Sequence, residues 1–387
     1  MNILLVTPYF YPAVNYGGPI FSTLHAYSEL SKLNNFNIYV STTNANCDKK
    51  LDIESNVWIN DIAGLNVKYY NETILNYFSL SLFLNLWRDI LRADVVHVQP
   101  IFNLSTIFSL LYSLLLRKPV LLSPRGSLGE WCLLQGSRLK RIWLNLLIKP
   151  LTRSIMWHAT SKQEENEILN LFPKASVTII PNGVDFSKYL KSNTLTKAYF
   201  LKHYANFDGD ADKIIVSMGR VHKKKGFDIL IDSFTKVLIK FPLAKLLIAG
   251  EDEGELAILL EKVNSLKLSE SVFFIGSVSG QEKIDFLANA DLFVLSSHNE
   301  NFGNVYVESL AAGTPIVASK NTPWSEVEGA DCGRWVVNSV SATSVAIIDL
   351  LSKDRNLLRV NAQALAKKYD WLNISIGFKN IFDCISK

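Results

Sequence analysis

The chain has 387 residues, more than a single hydrophobic core usually organises, so we expect two domains. A hydrophobic share of 48% and a charged share of 20% are typical of a soluble globular protein and exclude a disordered chain. The formal charge of +4 excludes the strongly basic surface that nucleic-acid-binding proteins carry.

The cysteines and the first residues bear on the cellular compartment. The four cysteines show no metal-binding or redox spacing. The start Met-Asn-Ile-Leu-Leu-Val-Thr-Pro lacks the basic region and the small-residue cleavage site of a signal peptide. A reducing cytoplasm is therefore the expected compartment.

Strand patterns alternate with helical patterns in both halves of the chain, which predicts an α/β protein with two parallel sheets, each covered on both faces. Two such doubly wound sheets make two Rossmann-like domains. The strands predicted in the first half are 2–10, 36–43, 67–70, 94–99, 120–124, 155–161 and 177–181. Those predicted in the second half are 214–219, 245–249, 272–276, 292–296, 315–318 and 334–337. The polar segment 182–212 is the predicted connection.

A glycine turn, Gly17-Gly18-Pro19, follows the first strand and opens the predicted helix 20–30. Glycine lets a backbone approach a phosphate closely, so Gly17 and Gly18 are candidates for closing over a diphosphate. The alternative is a simple turn, because the spaced three-glycine dinucleotide fingerprint is absent here.

Polar side chains near the ends of three further strands are candidates for contacting a sugar or an acceptor. His97 and Gln99 share one face of a strand by the two-residue period, although His97 fits a buried, hydrogen-bonded histidine better than a catalyst. Arg125 follows the next strand and could meet an anionic acceptor or brace its loop. Thr160 and Ser161 could line the same edge or cap the following helix.

Two segments of the first half bear on membrane contact. Residues 104–116 form the longest apolar run, which is too short to span a bilayer and predicts a packed helix. The segment 131–153 interleaves arginines and lysines, up to Arg153, with tryptophans, isoleucine and leucines. Basic amphipathic helices of this kind can lie on an anionic membrane surface. The alternative is a solvated face whose apolar side belongs to the domain core.

The second half begins with a strand that runs into a basic, glycine-bearing turn. Arg220 and Lys225 follow this strand, and Gly226 precedes a predicted amphipathic helix, 227–241. Open α/β sheets bind ligands at the carboxyl ends of their strands, so both cations are candidates for holding phosphate. The alternative is a solvated basic run.

Two carboxylates, Glu300 and Glu308, stand eight positions apart across a predicted strand-to-helix turn. The helix is expected to begin near Gly303, and the first amides, around Phe302, Gly303 and Asn304, have no intrahelical acceptor and attract anions. Asn301 lies in the same turn. A carboxylate repels phosphate, so each glutamate is expected to hold hydroxyl groups. Together with the upstream cations, the turn predicts a site for a sugar nucleotide diphosphate.

The remaining candidates concern the nucleotide base and metal ions. Gly276 and Val278 follow another strand of the second half, where backbone groups could contact the base. Asp208-Gly-Asp210 imitates a metal-binding pair but precedes a strand instead of ending one, so it predicts a loop. No metal ion or other cofactor is expected to be required.

The sequence resembles the retaining glycosyltransferases of family four, which have the GT-B fold. The resemblance covers nearly the whole chain and rests on five elements in order: Gly17-Gly18, Ser123-Pro-Arg-Gly126, Ile180-Pro-Asn-Gly-Val-Asp185, Gly219-Arg220 with Lys225-Gly226, and Glu300-x7-Glu308. It implies two Rossmann-like domains that face each other across a cleft. The expected domains are 1–183, completed by a returning helix within 366–387, and 184–365 for the nucleotide-sugar.

The resemblance also implies roles for individual residues. Glu300 would bind hydroxyls of the sugar being transferred, and Glu308 the ribose hydroxyls. Arg220 and Lys225 would stabilise the departing diphosphate, and the reaction would retain the anomeric configuration. The family has a histidine at the position of Gln99, and glutamine cannot carry a proton, so a general-base role there is doubtful.

The expected substrate is a UDP-sugar, UDP-glucose in particular, and GDP-mannose stays open. The expected acceptor is a glycan or a lipid-linked saccharide of polysaccharide assembly, with peripheral membrane contact through 131–153. A sugar-nucleotide epimerase or hydrolase of the same fold and a non-catalytic binding subunit remain alternatives. An NAD-dependent oxidoreductase would need the Gly-x-Gly-x-x-Gly turn that both halves lack.

Overall fold

The computed structural model describes residues 1–33, 35–47, 49–73, 78–134, 137–152 and 155–387. The chain divides into two compact units, Met1–Gly183 together with Trp371–Lys387, and Val184–Asp370. The return to the first unit thus begins at Trp371, after the helix Arg355–Ala366 and a short 3-10 turn, whereas the sequence places this boundary at 365/366. Arg153, predicted to belong to a basic amphipathic helix, lies outside the described residues.

The first unit is built on a sheet that is parallel except at one edge. Its strands are β1 (Asn2–Val6), β2 (Asn37–Thr43), β5 (Trp58–Ile62), β6 (Leu65–Tyr70), β7 (Val95–Val98), β8 (Val120–Leu122), β9 (Met156–Ala159) and β10 (Ser176–Ile179). They lie in the order β10-β9-β8-β7-β1-β2-β6-β5. A small antiparallel ribbon pairs β3 (Ala45–Asn46) with β4 (Lys49–Lys50). β5 pairs antiparallel with β6, an edge strand that the alternation pattern did not predict.

Helices cover both faces of this sheet. They are α1 (Gly18–Ser31), α2 (Leu80–Arg92), α3 (Leu104–Leu115), α4 (Glu130–Leu134), α5 (Ser137–Ile142), α6 (Lys162–Leu171) and α16 (Trp371–Ile385). After α5 the chain continues through a π-helical turn, Trp143–Ile148, and a 3-10 turn, Lys149–Leu151. One apolar core holds residues of α1 and α16, and the other holds residues of α2, α3 and the Trp143–Ile148 turn.

The second unit has a six-stranded parallel sheet within the described residues. Its strands are β11 (Ile214–Met218), β12 (Lys245–Ala249), β13 (Val272–Phe274), β14 (Leu292–Leu295), β15 (Ile316–Ser319) and β16 (Gly333–Val336), in the order β13-β12-β11-β14-β15-β16. Its helices are α7 (Phe186–Tyr189), α8 (Lys197–Ala205), α9 (Phe227–Lys240), α10 (Leu256–Ser265), α11 (Gly280–Ala288), α12 (Asn304–Ala311), α13 (Glu326–Gly329), α14 (Val340–Leu351) and α15 (Arg355–Ala366). The predicted connection 182–212 therefore contains helices, and Asn193 donates to Asp285 within the unit.

The strand order of each sheet reverses at one place, which is where ligands bind in doubly wound folds. In the first unit the reversal lies between β1 and β7, and in the second between β11 and β14. The strands beside each reversal are nearly continuous apolar runs, because both of their faces are covered. Within the described residues, no helix combines the length and apolarity that a membrane span needs.

Candidate active site

The strand reversal of the second unit brings together the residues that follow β11 and β14. The turn Lys223–Lys225 follows β11 and packs on the loop after β14, where the amide of His298 donates to the carbonyl of Lys224 over 2.8 Å. The hydroxyl oxygen of Ser297 lies 3.1 Å from the same carbonyl oxygen. Two segments that are far apart in sequence are therefore joined at the carboxyl edge of the sheet.

A charged pair, Lys225 and Glu300, lies at this junction. The Nζ of Lys225 is 2.5 Å from Oε1 of Glu300, and the Ser297 hydroxyl donates to the same oxygen over 2.7 Å. The two side chains are only 16% and 12% exposed, so water screens their attraction weakly. The structure thus places together two of the residues that the sequence nominated for catalysis.

The surroundings of Glu300 keep it ionised. Burial alone would raise its pKa, but the ammonium of Lys225, the hydrogen bond from Ser297 and the nearby charge of Lys224 outweigh burial. The net effect is a pKa below the ordinary value of a glutamate. An ionised carboxylate accepts hydrogen bonds only, which suits a group that holds sugar hydroxyls.

Close backbone packing allows this junction to form. Gly226 has φ +65, and a Cβ there would lie 2.0 Å from the carbonyl oxygen of Ser296. At Gly219, the residue after β11, a Cβ would lie 3.1 Å from Cε of Lys225, so the lysine stem crosses this glycine. Only glycine permits this combination of φ and contact at Gly226.

The helix that follows Glu300 begins at Asn304, which agrees with the predicted start near Gly303. Gly303 is the N-cap of α12 in the left-handed region, φ 77, and no side chain caps the helix. Phe302 is buried against Trp324, whose indole donates to the Phe302 carbonyl over 2.7 Å. The Phe302 side chain is therefore core, and only its backbone remains a candidate for ligand contact. Asn301 and Asn304 flank this turn and are partly buried.

Glu308 is held by two residues that the sequence did not nominate. Lys283 of α11 places its Nζ 2.8 Å from Oε1 of Glu308. The hydroxyl of Tyr189 also hydrogen-bonds Glu308; burial raises the pKa of this tyrosine far above its usual range, and the neighbouring carboxylate raises it further. The Glu308 carboxylate is thus fixed one turn inside α12, with its side chain 20% exposed.

Arg220 lies on the loop after β11 but does not join the Lys225–Glu300 pair. Its Nη1 is 2.7 Å from Oε1 of Glu253, which follows β12, and both side chains are solvent-exposed. Exposed ion pairs of this kind contribute roughly 0–1 kcal/mol, so the guanidinium can exchange Glu253 for a phosphate at little cost. The sequence did not predict Glu253 as its partner.

The candidates for base contact differ in their surroundings. Gly276 has φ +73, its carbonyl accepts from the Gly250 amide over 2.8 Å, and the space beside its Cα is open. The side chain of Val278 packs partly against the core of the unit. Any contact with a base at this loop therefore falls to backbone groups, as the sequence indicated.

In the first unit, the glycine turn Gly17-Gly18 follows β1 at the other strand reversal. Gly17 has φ 74 and is the N-cap of α1, and Gly18 is the first residue of that helix. No side chain caps α1, and Pro19 stands in its first turn. The amide end of a 14-residue helix thus follows the strand, as the sequence predicted.

His97 belongs to a buried chain of hydrogen bonds. The Nε2 of His158 lies 2.8 Å from the carbonyl oxygen of Ile180, which can only accept, so this nitrogen carries the proton. The Nδ1 of His158 then accepts from the Ser123 hydroxyl (2.6 Å), which accepts from Nε2 of His97 (2.6 Å). The Nδ1 of His97 accepts from the Tyr27 hydroxyl. All partners are buried, which fits a structural histidine.

Burial keeps both histidines neutral. Desolvation lowers the pKa of His97 well below its usual range, and its neighbours His158 and Arg125 lower it further. The pKa of His158 falls to about 3, chiefly through burial and then through Arg125. Both ring nitrogens of each neutral histidine are taken by buried partners, so neither ring is placed to exchange a proton with a substrate.

Gln99 and Arg125 are bound to each other. The Nε of Arg125 donates to Oε1 of Gln99 over 2.8 Å, and its Nη1 donates to Oδ1 of Asn182 over 3.1 Å. The amide of Gln99 donates in turn to the Thr23 hydroxyl over 2.9 Å. Gln99 therefore orients the guanidinium. Burial lowers the pKa of Arg125, and the charge of Glu164 offsets part of this effect by raising it.

Thr160 and Ser161 have structural partners on α6. The amide and hydroxyl of Thr160 both donate to Oε2 of Glu164, over 2.7 and 2.8 Å. Ser161 is the N-cap of α6, and its hydroxyl accepts from the amide of Glu164. Glu164 also accepts from the amide of Gly126 over 2.6 Å, so it ties the Arg125 loop to this helix. Ser161 thus caps the following helix, which is one of the two roles that the sequence left open, and Thr160 is bound to the same helix through Glu164.

Two protein-family models match consecutive parts of the chain. The model described as Glycosyltransferase Family 4 matches residues 13–188, and the model described as Glycosyl transferases group 1 matches residues 202–368. The chain belongs to glycosyltransferase family four.

Curated relatives of this glycosyltransferase align over part of its length. Mannosylfructose-phosphate synthase of Agrobacterium fabrum is 37% identical over 150 residues, which are 37% of this chain and 32% of that protein. Alpha-monoglucosyldiacylglycerol synthase of Streptococcus pneumoniae is 31% identical over 150 residues, 38% of this chain and 33% of that protein. The matched part thus spans about a third of these relatives.

Solved structures match over nearly the whole chain. HepE of Anabaena in complex with UDP has a TM-score of 0.76 at 17% identity and covers 99% of this chain and 100% of its own. The complex of HepE with UDP-glucose has a TM-score of 0.72 at 18% identity, with the same coverage. At this identity the likeness concerns the fold, and it confirms the GT-B class that the sequence predicted.

Several residues of the candidate site were not predicted from the sequence. Ser297, Lys283, Tyr189 and Glu253 hold the four nominated charged side chains, yet each lies on a different segment from its partner or, like Ser297, looks like an ordinary strand end. Predicting these contacts would have required knowing which strands are neighbours in the sheet. Within the described ranges, no group of three or more His, Cys, Asp or Glu side chains is placed to hold a metal ion.

Proposed function

We propose that the chain is a retaining hexosyltransferase that uses a UDP-sugar, UDP-glucose in particular, and needs no metal ion. One observation carries this proposal: the buried Lys225–Glu300 pair stands before the uncapped amide end of α12, at the strand reversal where doubly wound sheets bind ligands. The nucleotides in the HepE complexes, UDP and UDP-glucose, support the choice of base and sugar.

The chemistry follows from the charges at this reversal. As the anomeric bond breaks, negative charge grows on the leaving diphosphate. Lys225, the amides at Gly303 and Asn304, and Arg220 after release from Glu253 supply positive charge for it. Losing one such pre-oriented group typically costs about 3 kcal/mol of transition-state stabilisation.

The carboxylates orient the hydroxyl groups of the substrate. Glu300 is ionised and buried beside Lys225. A carboxylate that can accept hydrogen bonds from sugar hydroxyls therefore lies next to a cation that can bind phosphate. Glu308, fixed by Tyr189 and Lys283, is proposed to hold the ribose hydroxyls. In this proposal the leaving phosphate accepts the proton of the acceptor on the same face of the sugar, which retains the anomeric configuration.

The acceptor is proposed to be a glycan or a lipid-linked saccharide, in a polysaccharide assembly pathway at the inner face of a membrane. Arg125, oriented by Gln99 and Asn182, is the cation proposed to meet an anionic acceptor. The name of the pneumococcal relative, a glucosyldiacylglycerol synthase, supports a lipid-borne acceptor and a glucosyl substrate.

A GDP-mannose-dependent mannosyltransferase is the second candidate. It is favoured by the name of the relative with the highest identity reported above, mannosylfructose-phosphate synthase. Backbone contacts at Gly276 would serve uracil and guanine alike, so the site chemistry of the phosphates is the same for both candidates.

Binding and turnover measurements test the proposal. UDP-glucose should raise the melting temperature more than GDP-mannose, by mass action on the folded state, and should be hydrolysed slowly without acceptor. The thermal shift should disappear in Lys225→Met and Glu300→Gln but persist in Lys262→Met, whose lysine pairs with Asp232 on the surface of the same unit. Activity should survive EDTA, and the product anomer should match that of the substrate.

Each candidate has a distinct contrary result. A shift and hydrolysis with GDP-mannose alone would establish the mannosyl alternative. Turnover to an epimer, or to free sugar at the full rate without acceptor, would identify the epimerase or hydrolase. Binding that survives in both site variants would disprove the assignment of this site.

A further inference from the structure

The outer surface of α3 has an inverted polarity. Its buried residues are mostly hydroxyl-bearing, namely Ser105, Thr106, Ser109, Leu110 and Ser113, whereas Leu114 and Leu115 are 58% and 69% exposed. A helix packed on a sheet normally turns its leucines inward. The sequence predicted a packed helix here, and the helix is present, but much of its apolar surface faces outward.

The helix next to α3 continues this exposed apolar surface. On α2, Leu80, Leu84, Trp87 and Leu91 recur at helical spacing and are exposed, while Leu82, Leu86 and Ile90 face the core. The two helices are in contact, since Phe83 and Phe108 have ring centroids 4.4 Å apart and the Tyr112 hydroxyl donates to the Phe83 carbonyl. Their exposed leucines therefore belong to one face of the first unit.

The segment 137–152 contacts the residues just before α3 and shares a core with α2 and α3. The indole of Trp143 donates to the carbonyl of Ile101, just before α3, and Lys140 lies over the ring of Phe102. Leu144 and Ile148 enter the core that α2 and α3 share. Leu139 is 79% exposed, and Ile142 and Leu146 are also exposed.

The charge on these three elements is strongly one-sided. Across 80–92, 104–118 and 137–152 the basic residues are Arg88, Arg92, Arg117, Lys118, Arg138, Lys140, Arg141 and Lys149. The single acidic residue, Asp89, is buried and accepts from Ser41 and Tyr70. The whole chain is almost balanced, with 40 basic and 36 acidic residues, so the excess is local.

A recess opens at the carboxyl end of α3. Its volume is about 640 Å³, its walls include Leu110, Leu114, Leu151 and Ile155, and the cations Arg117 and Lys118 lie at it. The buried hydroxyl of Ser113, which also lines it, has no hydrogen-bond partner among the residues the structure describes. Apolar walls with a cationic rim match an anionic amphiphile.

A second recess, of about 710 Å³, lies on the second unit beside β16 and α14. There Arg334 is paired with Asp349, with Nη2 and Oδ2 2.6 Å apart, so its cation is already matched by an anion. The recess beside α3 differs because, among the described residues, neither Arg117 nor Lys118 forms an ion pair; the Lys118 ammonium donates to the carbonyl of Ala93 over 2.7 Å.

We propose that α2, α3 and residues 137–152 together form a docking surface for an anionic lipid bilayer, with α3 at its centre. Exposed apolar patches of this extent mark interaction sites, and interleaved arginine and lysine select a surface that is apolar inside and anionic outside. The observations go beyond the segment 131–153 that the sequence nominated, because α2 and α3 carry the larger part of the apolar surface. The docking needs no assumption about the reaction.

Vesicle binding without any nucleotide-sugar tests this surface. The full chain should sediment with vesicles that contain phosphatidylglycerol and should stay in solution with pure phosphatidylcholine or at high salt. Leu114→Ser with Leu115→Ser should weaken binding about tenfold or more. Arg117→Gln with Lys118→Gln should weaken it about 30-fold, since each cation near an anionic surface contributes about 1 kcal/mol.

A matched control is Ile258→Ser with Leu260→Ser, two exposed apolar residues of α10 that are flanked by Glu255 and Glu261. This variant should bind vesicles like the unaltered chain, and circular dichroism should show that all variants are folded. Equal binding to both vesicle types would overturn the proposal, and so would unchanged binding in the α3 variants. A dimer that the α3 changes disrupt, without vesicle binding, would assign the surface to a second copy of the chain.

Discussion

The coupling between Lys225 and Glu300 can be measured directly. Because the side chains are only 16% and 12% exposed, removing one charge leaves the other nearly buried and unpaired. Breaking such a buried pair costs about 3–5 kcal/mol, and we expect about 3 kcal/mol for Glu300→Gln and for Lys225→Met. The double variant leaves no unpaired charge, so it should also cost only about 3 kcal/mol. The expected coupling is therefore about 3 kcal/mol.

A second ion pair of the same unit is the matched control. Lys262 and Asp232 have the same separation, 2.5 Å, but their side chains are 30% and 34% exposed. Exposed pairs contribute about 0.2–1 kcal/mol, so Lys262→Met and Asp232→Asn should show a coupling below about 1 kcal/mol. The comparison isolates burial, because distance and charge type are equal.

Denaturant unfolding of the four variants of each cycle supplies the free energies. The pKa of Glu300 is lowered in the folded state, so its pair stabilises the protein above the unfolded-state pKa of about 4.3. This stability is lost as the pH falls through the still lower folded pKa, and the coupling should shrink below about pH 4. A coupling equal to that of the Lys262–Asp232 control, or one independent of pH, would refute the reasoning.

Two further predictions concern stability. Gly226→Ala should destabilise the second unit by more than about 2 kcal/mol in denaturant unfolding, because its Cβ would lie 2.0 Å from a carbonyl oxygen. Gly254, with φ +97 and open space around it, is the control: Gly254→Ala should cost only the backbone strain, about 1–2 kcal/mol. Equal losses would contradict the role of packing. His97 and His158 have pKa values lowered by burial, so their neutral forms stabilise the fold above about pH 6.5, and stability should fall by about 1.4 kcal/mol per pH unit for each histidine below it. His158→Gln should reduce this slope by one histidine's share in pH-dependent unfolding, and an unchanged slope would show that the ring is already charged.

The sequence predicted the elements of the fold well because apolar runs and their interruptions are local features. The strands beside both reversals, β1, β7, β11 and β14, are buried on both faces and stand out as apolar runs. The antiparallel strand β5 was not predicted, because it is only partly buried and lacks such an apolar run. Edge strands of this kind are set by their pairing with a neighbour.

The part of the candidate site that directly follows predicted strands could be predicted from the sequence. Lys225 and Glu300 each follow a strand, and the rule that ligands bind at carboxyl edges nominated both. The partner of Arg220 was not predictable, because Glu253 lies on the loop after β12 and meets Arg220 only through the sheet order. The burial of Phe302 was equally hidden, since it depends on Trp324, which is distant in sequence.

The inverted helix α3 shows where a local pattern stops being informative. Its hydroxyl residues recur at helical spacing, so a stripe of small polar side chains is readable from the sequence. Which stripe faces the sheet depends on whether those hydroxyls find partners there. Ser109 donates to the carbonyl of Ser105 over 2.7 Å, and Thr106 donates to that of Pro100 over 2.5 Å. Hydroxyls that bond to nearby carbonyls can be buried at little cost, which allows α3 to turn its leucines outward.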